Sequence, residues 1–226
     1  PPPLTVKENP QSILDIADIV FIDPVSTGFS RAEGKTKADE FHGVKGDIRS
    51  VGDFIRRWVT ENDRWASPKY LLGESYGGIR AAGLADHLQD EFGMSLNGVV
   101  LLSSLIDFRT LRSNIADELS YSIFFPGLTA TSHYHKKIEG NRNELVEQAR
   151  TFAFGTYSQA LLKGAAISAK EKQSVADQMA KFTGLPASLF VETNLRLSST
   201  RFRKELLRDE GKVLGRFDAR IAWPTT

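Results

Sequence analysis

Apolar residues crowd three short stretches, 17–22, 69–72 and 98–102, where Ile, Val and Leu follow one another with little alternation. A run of that kind is apolar on both faces, so each is read as a strand covered on both sides of a sheet. Helical spacing lies between them. Over 38–62 the apolar positions Phe41, Val44, Ile48, Val51, Phe54, Ile55 and Trp58 recur three and four residues apart. A second helix is expected from Tyr76 through Ala81, Ala85 and Leu88 to about Phe92. Strands alternating with helices predict an α/β fold with a parallel, doubly wound sheet.

The pattern changes after about residue 114. Residues 143–163 read as one helix carrying Leu145, Ala149, Phe152, Phe154, Ala160 and Leu161. Ser168 followed by Glu171 is a capping-box pattern that opens another helix through 182. Pro186 suits the first turn of a third, short one, and 199–209 forms a basic, amphipathic fourth. No strand run follows until 213–221. The expected organisation is therefore an α/β body over 1–113, a helical cap inserted over 114–209, and a return segment to the body over 210–226.

Composition narrows the function classes more than it selects one. With 41% apolar and 25% charged residues, the chain has the make-up of a globular protein. Lys and Arg total 29 against 28 Asp and Glu, a net charge of +1. Such a balance calls for neither nucleic acid nor an anionic membrane as partner. No apolar run reaches the about 18 residues of a membrane span. Cysteine is absent, which removes disulfides and thiolate metal sites and leaves the compartment undetermined. The opening Pro1-Pro2-Pro3 and the closing Trp223-Pro224-Thr225-Thr226 suggest an internal fragment of a longer chain.

The chemistry concentrates at Gly73-Glu74-Ser75-Tyr76-Gly77-Gly78, where G-x-S-x-G falls between a predicted strand and a predicted helix. A serine on so sharp a strand-to-helix turn needs small neighbours, a need met by Gly73 and Gly77, while Gly78 eases close helix–sheet packing. The turn lifts the hydroxyl clear of the sheet at the positive end of a helix dipole. There the backbone N–H of Tyr76 is placed to meet the oxyanion of a tetrahedral intermediate.

This segment resembles the G-E-S-Y-[AG]-G signature of the serine carboxypeptidases. Upstream, the decapeptide from Phe21 to Ser30 (FIDPVSTGFS) is similar to their F-[IL]-D-x-P-x-G-x-G-[FY]-S segment, about fifty residues before the serine and in the right order. Residues 203–209 and 215–220 resemble the cap end of bacterial members. One residue is missing between Asp23 and Pro24, and Ser26 stands where eukaryotic members usually have glycine. The resemblance implies an α/β-hydrolase three-layer sandwich, incomplete here, with an inserted helical cap. It implies removal of C-terminal residues from peptides through an acyl-enzyme on Ser75, with Tyr76 supplying an oxyanion N–H. Glu74 matches the glutamate that reads the peptide's C-terminal carboxylate, a contact that requires one of the two carboxyl groups to hold a proton. The triad Asp and His are expected beyond Thr226, and the glycine-rich loop with the second oxyanion donor before Pro1. No cofactor or metal is implied. The implied partner is a peptide with a free C-terminus, and a secreted or periplasmic home follows from the family alone. An esterase or acyltransferase on the same scaffold, or a non-catalytic binding module, are the rival readings.

The four histidines are weighed against this assignment. His42 and His87 fall within helical patterns and read as partly exposed helix residues. Asp107 at a strand end, with His133, would complete the serine–acid–histidine order of the fold. His133 and His135 beside Lys136 and Lys137 fit a solvated surface better, and no third ligand makes them a metal site. Gly28 to Gly34 spaces its glycines by five residues where a phosphate loop needs four, so nucleotide binding is rejected. The basic residues Arg201, Arg203, Lys204 and Arg208 read as a solvated face. Trp58 and Trp65 are expected to pack on the body, with Phe124 and Phe125 lining a cleft under the cap.

Overall fold

The computed structural model of the chain describes residues 5–110 and 117–225, which fall into two compact units, Pro1–Ile106 and Asp107–Thr226. The boundary expected at 113/114 lies outside the described residues.

In the first unit, a 3-10 turn at Ala38–Phe41 precedes helix α1 (Val44–Glu61). Helix α1 starts six residues later than the spacing predicts, because Gly43 breaks the run and serves as N-cap. Strand β1 (Tyr70–Glu74), helix α2 (Tyr76–Phe92) and strand β2 (Gly98–Leu102) follow where the sequence places them. Helix α2 ends in paired backbone bonds, Gly93 N to Gln89 O and Met94 N to Leu88 O, around a left-handed Gly93. Strands β1 and β2 pair in parallel from Tyr70↔Gly98 to Glu74↔Leu102, one βαβ step. Val51, Val59, Leu84, Leu88 and Met94 form the core between α1 and α2, joined by half-buried Ile48, Ile55, Trp58 and Leu71.

Two expectations are corrected here. Residues 17–22 are not a strand: they join no ladder, and Phe21 is 89% exposed. A strand is defined by the neighbour that takes its backbone hydrogen bonds, and among the described residues none flanks this segment. The doubly wound sheet therefore reduces, among the described residues, to the β1–β2 pair. The α/β character stands at this coarser level. Trp58 packs on the body as expected, but Trp65 is 45% exposed and donates its Nε1–H to Thr60.

The second unit is helical. Helix α3 (Leu119–Tyr134), for which no element was expected from sequence, runs through Pro126, a residue that interrupts most helices. It forms because its apolar residues surround it with partners: Phe125 is 1% exposed at the centre of the core, so it does not line a cleft. The expected single helix at 143–163 divides into α4 (Arg142–Phe152), a π-helical turn at Ala153–Tyr157, and α5 (Ser158–Leu162). The wide turn carries Tyr157 into the core, where its ring stacks on Phe152 at 5.8 Å and lies 5.3 Å from Phe125. Helix α6 (Ala169–Thr183) starts with Ser168 accepting from the Glu171 N–H at 3.2 Å, so the serine half of the box forms. The Glu171 carboxylate instead binds Lys163. Helix α7 (Ala187–Glu192) follows Pro186, and α8 (Ser199–Glu205) stops four residues early, continued by a 3-10 turn at Arg208–Glu210.

The strand expected at 213–221 is a hairpin instead. Strands β3 (Lys212–Leu214) and β4 (Ala222–Pro224) pair antiparallel, and Gly215 N–H to Ile221 O at 2.8 Å closes the loop between them. Leu214 sits in the helical core, His135 Nε2 lies 2.7 Å from the Ala219 carbonyl, and Arg203 donates to the Leu214 carbonyl. No helix among the described residues is long and apolar enough to cross a membrane.

Candidate active site

Ser75 joins β1 to α2 as the N-cap of the helix, with φ 57° and ψ −120°, a backbone region that residues bearing a side chain seldom enter. Three hydrogen bonds hold it there. Its N–H extends the ladder to Leu102 O at 3.0 Å, and its carbonyl accepts from Gly78 N and Leu105 N, each at 3.1 Å. Strain of this kind, about 1–3 kcal/mol, persists only where the surroundings over-determine the conformation. The consequence is a serine exposed at the end of the strand, with Glu74 exposed beside it and Tyr76 half-buried in the first turn of α2.

The neighbouring glycines have unequal roles. A Cβ at Gly73 would overlap the Gly77 carbonyl and stand 2.7 Å from Gly78 N, so a larger residue would push the turn apart. At Gly78 it would overlap the Ser104 side chain, which follows β2, so the close approach of helix to sheet needs glycine there. Gly77 has open space around it. The steric need assigned to Gly77 is therefore carried by Gly73 and Gly78.

The residues beneath the turn were not singled out from sequence. Asp47 of α1 is 5% exposed and receives Arg80 of α2 through Nε, at 2.8 and 3.1 Å to its two oxygens. The Arg80 guanidinium lies 5.3 Å from the centroid of the Tyr76 ring, and the Tyr76 hydroxyl hydrogen-bonds Asp47. Burial, then the Asp47 charge, pushes the Tyr76 hydroxyl above its ordinary pKa, while Arg80 pulls it back. The signal was available: Asp47 lies in the stripe of Val44, Ile48 and Val51, where a charge calls for a buried partner.

The histidines are engaged elsewhere. His87 lies over Gly52 between α1 and α2 and meets Phe92 edge-on at 5.5 Å. His133 Nε2 is 3.0 Å from the Gly140 carbonyl, and Asp107 is held by Arg109 through Nε and Nη2. The alternative Asp107–His133 pairing thus finds both groups bound to other partners. His42 contacts Ser26 and Asp39. Among the described residues no cluster of three or more His, Asp or Glu is arranged to hold a metal ion.

A family model described as serine carboxypeptidase matches residues 3–199, which include Ser75 and the upstream 21–30 segment. The chain belongs to the serine carboxypeptidase family. No curated protein and no solved structure matches it. Membership carries serine carboxypeptidase-like hydrolase chemistry, and a peptide as substrate, at the level of the family. It also implies the α/β-hydrolase architecture, of which the β1–α2–β2 step is the portion the sheet shows.

Proposed function

We propose that Ser75 is the nucleophile of a serine carboxypeptidase, attacking the last peptide bond of a chain with a free C-terminus. The observation that carries this reading is the strained, exposed serine at the β1–α2 turn in a member of this family. Attack transfers the Ser75 proton to a histidine base and forms the acyl-enzyme. The departing amino acid takes the proton, and water then releases the shortened peptide. The Tyr76 backbone N–H, in the first turn of α2, donates to the oxyanion, helped by the helix dipole. Glu74 reads the substrate carboxylate through a shared proton. The base and its acid partner are proposed to come from beyond this sequence. The buried Asp47–Arg80 pair, through Tyr76, keeps the first turn of α2 in register with Ser75.

The test is covalent labelling of the full-length protein with an organophosphonate, followed by peptide mapping. The fast, stoichiometric label is expected on Ser75 and is lost in Ser75→Ala. A fast label on Ser103 or Ser104, the serines that follow β2, would overturn the assignment. Equal hydrolysis of a blocked dipeptide and its C-terminal amide would move the reading to an esterase.

A further inference from the structure

A second serine in the first unit has a base within reach. Ser26 Oγ lies 2.9 Å from His42 Nε2, and His42 Nδ1 lies 3.5 Å from Asp39 Oδ1. Sixteen residues separate the serine from the histidine, which closes the 3-10 turn Ala38–Phe41. Asp39 beside Nδ1 favours the tautomer with its proton there, which leaves Nε2 to accept from the serine hydroxyl. Ser26 itself is held in the left-handed region, φ 72°.

The loop around it is tied down. Ser26 N donates to Ser30 O at 3.0 Å, Thr27 N to Pro24 O at 2.9 Å, and Phe29 N to the Asp23 carboxylate at 3.1 Å. Arg31 Nη1 gathers the carbonyls of Thr27, Gly28 and Ser30 at 3.4, 3.0 and 2.8 Å. A non-glycine residue with positive φ on a cross-braced loop, its hydroxyl on an imidazole and that imidazole beside a carboxylate, has the parts of an activated nucleophile.

We propose that Ser26, His42 and Asp39 form a second, surface acyl-accepting site, independent of Ser75, that takes small activated aryl esters. The hydroxyl attacks the ester carbonyl as its proton passes to His42 Nε2, and the new Oγ–C bond forms. The C–O bond to the phenol breaks, and the phenol leaves with the proton from His42. Water, with His42 again as base, then releases the carboxylic acid and restores the serine.

The geometry also sets the substrate class. The N–H groups of Ser26, Thr27 and Phe29 are already bonded within the loop, so they stabilise no oxyanion and the leaving group has to be a good one. Asp39 is 96% exposed and His42 47%, so the carboxylate orients the ring more than it charges the site. A peptide bond therefore lies outside the reach of this site. Phe29, 99% exposed three residues on, offers an aryl group a ring to stack against.

The experiment treats the protein and its Ser75→Ala variant with a fluorophosphonate and, separately, 4-nitrophenyl acetate, and maps the modified peptides. A slower label on Ser26 is expected in both proteins. His42→Ala should lower its rate about 100-fold, the usual contribution of a general base. Added imidazole should restore much of that rate, a rescue that a purely structural role of His42 would not give. Asp39→Asn should cost only a few-fold. No modification of Ser26, or a Ser26 rate unchanged in His42→Ala, overturns the proposal. Failure of the Ser75 reading appears on a different peptide, so the two outcomes are separable.

Discussion

Replacing Asp47 by alanine strips the Arg80 guanidinium of its carboxylate inside the α1–α2 interface, beneath the turn that carries Ser75. The Asp47 side chain is 7% exposed and that of Arg80 23%. Breaking a fully buried pair costs about 3–5 kcal/mol, because the surviving charge is left unpaired. Arg80 keeps some contact with water and the Tyr76 ring, so Asp47→Ala should cost about 2–3 kcal/mol. Arg80→Met leaves the more buried member behind and should cost about 3–4 kcal/mol, softened by the Tyr76 hydroxyl. Asp47→Leu with Arg80→Met removes both charges at similar volume and should cost about 1 kcal/mol or less. The assay is native-state amide hydrogen exchange at Leu84 and Leu88, buried residues of α2 that report opening of this unit alone. At about 1.4 kcal/mol per tenfold, Asp47→Ala should reduce their protection about 30- to 150-fold. Ser75 labelling in the full-length protein should slow about tenfold as the oxyanion donor loses its placement. Single variants within about 0.5 kcal/mol of wild type, or a double variant costing the sum of the two, would refute this account.

Gly73→Ala should destabilise the first unit by about 3 kcal/mol, since its Cβ meets backbone atoms. Gly77→Ala, with nothing nearby, should be neutral or stabilising by up to about 1 kcal/mol; urea midpoints compare the two. Tyr157→Phe removes the 2.6 Å hydrogen bond to the buried Leu195 carbonyl and should cost about 1–2 kcal/mol by urea titration. The Asp218 carboxyl, held down by the Arg220 side chain and N–H, should titrate at about 2 by NMR. Its depressed pKa favours the folded state above the ordinary carboxylate range near about 3.9, and that contribution disappears as pH falls towards 2. Glu74→Gln in the full-length protein should narrow the kcat/KM preference for a free C-terminal carboxylate over its amide; an unchanged preference would remove Glu74 from substrate recognition.

The β1–α2–β2 step was legible in the chain because each part carries its own local signal. The strands are continuous apolar runs, α2 repeats its apolar residues at helical spacing, and Gly73, Gly77 and Gly78 mark the turn around Ser75, although only the packing shows that Gly77 has room to spare. The motif also identified the family, since two short patterns at the right separation suffice for that. Elements whose identity depends on a partner were not legible. The 17–22 run has the composition of a strand, but only a neighbour with free backbone groups makes a strand of it. Helix α3 carries Pro126 and Gly127, which locally argue for a break, and the surrounding aromatic core outweighs that preference. The 213–221 run turned back as a hairpin because Gly215 bonds Ile221 and His135, 84 residues away from Ala219, holds the loop. The Asp47–Arg80 pair, 33 residues apart, and the Ser26–His42 contact likewise arise only when separate segments pack together. Periodicity records which face of an element is apolar. Which polar groups meet across the packed elements is decided by the tertiary fold, because burial and hydrogen-bond geometry are properties of the contact and not of either residue alone.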